Sequence, residues 1–214
     1  MSSWSYVDVW RTVAEAQPEA VALESGDVVV TWESFVHHMD SLGSYFHSLD
    51  LPRQSTVAAY LYNCPEYLES MFGMFKAGLV PVNTNYRYSD DELAYLWDNA
   101  DAVGVVFHGT FAERCAAMRA RVPRVRLWIW VDDGSGPCPD WAVPYETAAA
   151  SATQRTIAPW GRSPDDLYIL YTGGTTGMPK GVLWRNADAN VECFGGSRAY
   201  TLAGIVAEAT GGLK

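Results

Sequence analysis

Residues 167–183 read LYILYTGGTTGMPKGVL. An apolar run, 167–171, leads straight into Thr172, Gly173, Gly174, Thr175, Thr176, Gly177, Met178, Pro179, Lys180 and Gly181, and apolar residues resume at Val182. Glycine has no Cβ, so it lets the backbone turn through positive φ and bring successive N–H groups close to an anion; Gly173, Gly174, Gly177 and Gly181 are the candidates for this. The hydroxyls of Thr172, Thr175 and Thr176 can donate to phosphate oxygens, and Lys180 adds a mobile positive charge. Pro179 restricts the backbone just before that lysine. The chemistry this implies is polyphosphate binding by a loop that follows a strand. It is not a Walker A loop, which needs Gly before the Lys and Ser or Thr after it, whereas Pro179 precedes Lys180 and Gly181 follows.

Composition narrows the partners. Hydrophobic residues make up 49% of the 214 and the formal net charge is −10. That supports a globular fold with a real core, and its field repels nucleic acid and anionic membrane surfaces. No Lys/Arg cluster opposes it, so polyanion binding has to be local, as at the loop. The start, MSSWSYVDVW, has neither a basic n-region nor an apolar h-region, and no run is long enough for a membrane span, which predicts a cytoplasmic protein. Cys64, Cys115, Cys138 and Cys193 are far apart and form no CxxC pair, which predicts reduced thiols and neither a metal nor a redox site.

The elements that would carry the loop can be read from periodicity. Residues 6–17 have helical spacing and end before Pro18; VALES and VVVTW flank Gly26 and Asp27 as a hairpin; Thr31 caps a helix over 32–49. His37, His38 and His47 fall on that helix without the i, i+4 spacing of a metal pair, and read as surface or boundary residues. TVAAYLY is a strand apolar on both faces, and Asn63 with Glu66 predicts a helix cap, the helix running through Lys76 to a stop at Gly78. VPV is the next strand. Ser89 with Glu92 predicts a capping box, AVGVVF a strand, Thr110 with Glu113 a third helix to about Arg121, and LWIWV a strand. Residues 132–144 and 156–166 read as surface loops. Repeated strand–helix units with doubly apolar strands predict an α/β fold with a parallel, helix-covered sheet. After the loop, VLWR predicts a short strand and 187–194 a weak helix.

The string YTGGTTGMPKGV resembles the signature phosphate loop of the adenylate-forming superfamily, usually written YTSGTTGxPKG. Gly173 stands where that family more often has Ser, which removes a hydroxyl donor but keeps the backbone N–H. FGMFKAGLVPVNTNYRYSDDELAYLWDNADAVGVVF is similar to the segment of acyl-CoA synthetases in which FGxxKAGxxxVNxNYR recurs, so the resemblance covers essentially the whole chain. The wording YTGGTTGMPKGVLWR leans toward the fatty-acyl and sterol-side-chain acyl-CoA synthetases. Asn83, Asn85, Tyr86 and Arg87 themselves read as a polar strand exit that organises the sheet.

The resemblance implies the N-terminal portion of a synthetase's large domain, residues 1–214, with the phosphate loop at 171–182 and the C-terminal small domain absent. It also implies ATP, Mg2+, coenzyme A and a carboxylic acid as the reactants of the complete enzyme. The family's adenine, ribose and metal contacts and its catalytic lysine lie in YGxTE-like, TGD and later segments, and no such string occurs here. The resemblance therefore puts no catalytic or metal-binding residue in this chain and predicts that it is inactive alone. A noncatalytic nucleotide-binding or interaction module derived from such an enzyme is the alternative. A serine hydrolase is disfavoured, since GGSRA at 195–199 lacks the second glycine of a nucleophile elbow. A chain ending at Lys214 would also expose apolar surface around 167–170 and 182–184 and associate through it.

Overall fold

The structure, a computed structural model, describes residues 5–150, 158, 161, 163–173, 177–192, 204 and 207. Helix α1 (Tyr6–Ala16) precedes a hairpin of β1 (Val21–Ser25) and β2 (Val28–Thr31), and β2 runs directly into α2 (Trp32–Ser48). Three βα units follow: β3 (Thr56–Tyr60) with α3 (Pro65–Lys76), β4 (Val80–Asn83) with α4 (Asp90–Asn99), and β5 (Ala102–His108) with α5 (Ala112–Met118). Then come β6 (Leu127–Val131), a two-residue β7 (Val143–Pro144), α6 (Tyr145–Ala149), β8 (Leu167–Thr172), β9 (Lys180–Arg185) and α7 (Asn186–Glu192).

Apart from the antiparallel hairpin β1–β2, these strands form one seven-stranded sheet in the order β7-β6-β5-β3-β4-β8-β9. Every neighbouring pair in it is parallel except β8–β9, so the predicted parallel sheet carries one antiparallel edge strand. Leu93, Leu96 and Trp97 of α4 with Cys115 and Met118 of α5 cover one face, against Ala58, Tyr60, Val105, Phe107 and Tyr171. Leu42 and Phe46 of α2, Met74 of α3 and Ala148 of α6 cover the other, against Val57, Val106 and Ile129. This is the doubly covered arrangement that strands apolar on both faces demand.

Helices α2 and α3 cross so closely that a Cβ on Gly73 would lie 2.6 Å from Leu42 Cβ, and one on Gly43 would lie 2.9 Å from Lys76 Cβ. A buried ion cluster stands at that crossing. Asp40 of α2 is bound by Lys76 Nζ from α3 and by Arg11 Nη2 from α1 at 2.5 Å, and the Lys76 side chain is only 1% exposed. Nearby, Glu69 of α3 accepts from His38 Nδ1 at 2.8 Å and from the Tyr145 hydroxyl of α6. His38 thus has a structural partner. The hydrogen bond it makes to Glu69 raises its pKa above the ordinary 6.5.

Two expected caps are corrected. Helix α3 begins one residue later than Asn63 would set it, with Cys64 at the N-cap, because Pro65 occupies the first helical position, where a missing N–H costs nothing. Thr110 does not cap α5. Its N–H is taken by Asp133 Oδ2 at 3.0 Å, residues Gly109–Phe111 form a 3-10 turn, and the helix starts at Ala112 and ends at Met118. Thr31 and Ser89 do cap, the latter in a full box: Glu92 N–H donates to Ser89 Oγ at 3.3 Å and Ser89 N–H to Glu92 Oε2 at 2.8 Å.

Of the apolar surface expected around the end of the chain, the β9 half is there: Val182 is 43% and Leu183 62% exposed. The β8 half is not, because Ile169 is buried in the core cluster that Leu93 and Leu96 of α4 share, and Tyr168 packs edge-on to Phe75 of α3. Among the described residues no helix is long and apolar enough to cross a membrane.

Candidate phosphate site

Strands β8 and β9 are the two arms of a hairpin whose connecting loop is the glycine–threonine stretch. Their register pairs Tyr171 with Gly181 and Thr172 with Lys180, so Thr172 and Lys180 are the last pair before the chain leaves the sheet. Both are exposed, and Lys180 forms no ion pair with any described residue. Its ammonium and the Thr172 hydroxyl therefore stand at the loop mouth, at the carboxyl end of β8, where open α/β sheets bind ligands. Gly173 and Gly177 are exposed with open space where a Cβ would lie. Gly177 has φ +159°, next to extended backbone, so its conformation alone does not demand glycine. Gly174, Thr175 and Thr176 lie outside the described residues.

Gly181 has a different task from the one its motif position suggests. It sits inside β9 opposite Tyr171, and a Cβ there would come within 3.0 Å of two Tyr171 ring carbons and 3.1 Å of Ile169 Cγ2. The glycine makes room for the ring. That ring, almost fully buried, aims its hydroxyl at Asn99 Oδ1 of α4, 2.7 Å away.

The start of β8 is held just as specifically. Leu167 N–H donates to Gln54 Oε1 at 3.1 Å, while Asp166, 3% exposed, accepts from Arg53 Nη2 at 2.6 Å and from Ser163 N–H at 2.9 Å. At the far end, Asn83 of β4 binds the Tyr171 backbone twice: Tyr171 N–H donates to Oδ1 at 2.6 Å, and Nδ2 donates to the Tyr171 carbonyl at 3.0 Å. The polar strand exit expected at Asn83 is therefore an organiser of the sheet. Sequence reading did not single out Gln54 or Asn99, and no local spacing marks either.

A second constellation lies at the carboxyl ends of β3 and β5, where the chain after β3 goes to one face of the sheet and after β5 to the other. Tyr62, Tyr86 and Phe111 meet there, with ring centroids 4.8 and 5.1 Å apart, and Tyr62 N–H donates to His108 Nδ1 at 3.0 Å. That bond fixes the neutral tautomer with its proton on Nε2, and burial lowers the His108 pKa. Among the described residues no group of three or more His, Cys, Asp or Glu is arranged to hold a metal ion.

The family model described as AMP-binding enzyme matches residues 10–204. Medium-chain acyl-CoA ligase Mig of Mycobacterium avium is 38% identical over 207 residues, which span 90% of this chain and 38% of that protein. A medium/long-chain-fatty-acid–CoA/3-oxocholest-4-en-26-oate–CoA ligase of Mycobacterium marinum is 36% identical over 89% of this chain and 36% of its own length. The chain thus spans a little over a third of these relatives. Among solved structures, the anthranilate CoA ligase AuaEII in complex with anthranoyl-AMP superimposes with a TM-score of 0.80 at 20% identity, over 88% of this chain and 36% of that one. An inhibitor-bound N-terminal domain of FACL13 from Mycobacterium tuberculosis gives 0.72 at 24%, over 86% and 45%. The structural likenesses establish the fold, and the family match spans nearly the whole sequence: the chain belongs to the AMP-binding enzyme family.

Proposed function

We propose that residues 1–214 are the phosphate-anchoring N-terminal part of an ATP-dependent acid–CoA ligase that works through an acyl-adenylate, with fatty-acyl or sterol-side-chain acids as its substrate class. The observation that carries this reading is the exposed Thr172–Lys180 pair closing a glycine–threonine loop at the carboxyl end of β8, within a family member whose relatives are named for such acids. In the complete reaction a carboxylate oxygen bonds to the α-phosphorus of ATP as the bond to pyrophosphate breaks. The coenzyme A thiol then attacks the acyl carbon and AMP leaves.

This chain's share is positional and electrostatic. Thr172, Gly173, Gly174, Thr175, Thr176 and Gly177 offer hydroxyls and backbone N–H groups to the β- and γ-phosphates, and Lys180 meets the charge that grows on departing pyrophosphate. Preset donors at developing charge accelerate a reaction only if they are in place beforehand. Mg2+ bound with the nucleotide would supply charge neutralisation on the phosphates.

The test is titration of MgATP into the purified chain. Lys180→Ala should weaken binding by about tenfold or more, as loss of a charge-assisted contact does; unchanged affinity would refute the phosphate assignment. Supplied with MgATP, coenzyme A and a panel of fatty and sterol-derived acids, the chain alone should yield neither AMP nor thioester. Lys180-dependent product from a monodisperse sample would show that the groups expected downstream are dispensable.

A further inference from the structure

The join between the scaffold and the loop hairpin is thinner than any other parallel join between β3, β4, β5 and β6. Strands β3 and β4 pair over four residues and β5 and β6 over five, but β4 and β8 share one backbone pair, Val82 with Ile169. Proline explains the deficit. The N–H groups of Val80 and Thr84 donate to Ser55 and Ala59 on the β3 side, and along a strand these groups alternate sides. Position 81 therefore turns toward β8, and Pro81 has no N–H to give.

Asn83 restores what the ladder lacks, its side-chain amide standing in for a backbone amide as both donor and acceptor to Tyr171. Asn99 adds a second hold on the same residue through the Tyr171 hydroxyl, and Gly181 lets the ring lie flat enough to reach it. The support is itself rigid: Thr84, next to Asn83, accepts from the buried Trp97 indole at 3.1 Å, and Trp97 and Asn99 share α4. The hydrogen bonds that Asn83 and Asn99 make to Tyr171 thus trace back to one strand exit and one helix.

We infer that Asn83 and Asn99 are positioning residues for the phosphate loop, fixing the Tyr171 backbone and ring so that Thr172 and Lys180 emerge in one orientation. This rests on the phosphate-loop reading above. A side-chain amide bound at two points sets both position and direction, which one backbone pair cannot do. Gln54 supplies a natural control, because it holds the opposite end of β8 through Leu167 and should steady the strand without aiming the loop.

The experiment compares Asn83→Leu, Tyr171→Phe and Gln54→Leu in the full 214-residue chain, by amide hydrogen exchange, thermal unfolding and MgATP titration. Asn83→Leu should speed exchange at Tyr171, Thr172 and Gly181 by roughly tenfold, the effect of losing a net hydrogen bond or two, with β5 and β6 unchanged. MgATP affinity should fall by a similar factor. Tyr171→Phe should do the same more weakly, and Gln54→Leu should lower the melting temperature while leaving exchange at Thr172 and MgATP affinity alone. Equal effects of Asn83→Leu and Gln54→Leu on the loop, or acceleration spread evenly over all strands, would reduce Asn83 to a generic stabiliser and overturn the inference. If the parent chain binds no MgATP, the phosphate reading fails, while the exchange pattern still decides whether Asn83 and Asn99 set the loop's exit.

Discussion

Strands β3 and β9 lie in the same sheet and meet opposite surroundings. All five residues of β3 are buried, with α4 and α5 on one side and α2, α3 and α6 on the other. In β9 no residue is fully buried, and successive residues Val182 and Leu183, which point to opposite faces, are both exposed. The scaffold half can stabilise itself by apolar burial at about 25 cal/mol per Å2. The loop half buries less, chiefly Ile169 and Tyr171, and depends in addition on named polar contacts to its neighbour, so it should respond to single bonds more than the scaffold, which responds to packing and buried charge.

The largest effect should come from the scaffold. Lys76→Met removes a cation from the buried Asp40 cluster and should cost about 3 kcal/mol of unfolding free energy, because a carboxylate is left partly uncompensated in the interior. Urea denaturation measures it, and a loss well under 1 kcal/mol would mean that Asp40's remaining partners, Arg11 among them, satisfy it. A smaller loss, about 1–2 kcal/mol, is expected for Gly181→Ala, whose new methyl must displace the Tyr171 ring by a few tenths of an ångström. Its signature is regional: near-ultraviolet tyrosine signals and loop exchange should change while the scaffold's unfolding midpoint moves little. A midpoint shift as large as that of Lys76→Met would erase the distinction between the halves.

These contrasts also mark what could be read beforehand. Strands such as TVAAYLY and LWIWV were legible because burial on both faces leaves an unbroken apolar run, and the loop was legible because its glycines, threonines and lysine are contiguous. The joints were not. Asn83 meets Tyr171 across 88 residues of chain, and Gln54 meets Leu167 across 113. A lone amide side chain carries no periodicity that could announce a partner at such a distance, whereas Ser89 and Glu92 announce each other across one helical turn. The Asn63 and Thr110 caps failed for a related reason: Pro65 and the distant Asp133 competed for the same backbone and won.

The smallest effect concerns pH, and it too should stay in the scaffold. The Glu69 hydrogen bond raises the pKa of His38, so His38's contribution is complete below the ordinary 6.5 and is lost as pH rises through the higher folded value. Burial lowers that of His108, so its contribution is complete above 6.5 and is lost as pH falls toward the folded value. The two slopes oppose each other, and the melting temperature should peak near the ordinary imidazole value. His38→Gln should flatten the alkaline side and leave the acid side intact; loss of both slopes in that variant would assign the whole dependence to His38.

Pro81 has a consequence for the order in which the protein is made. Synthesis runs from the N-terminus, and domains begin to organise as they emerge, so β3, β4, β5 and β6 can assemble on the ribosome while β8, which belongs beside β4, has yet to be translated. During that interval the outer edge of β4 would be an open template for any passing strand, a known route to aggregation. The proline on that edge withholds the N–H a stray strand would pair with, and Asn83 offers instead a side-chain grip for a strand that presents its backbone at one particular register. The same scarcity of backbone bonds that makes the loop's mounting sensitive thus gives the nascent chain a guarded vacancy that β8 is shaped to fill.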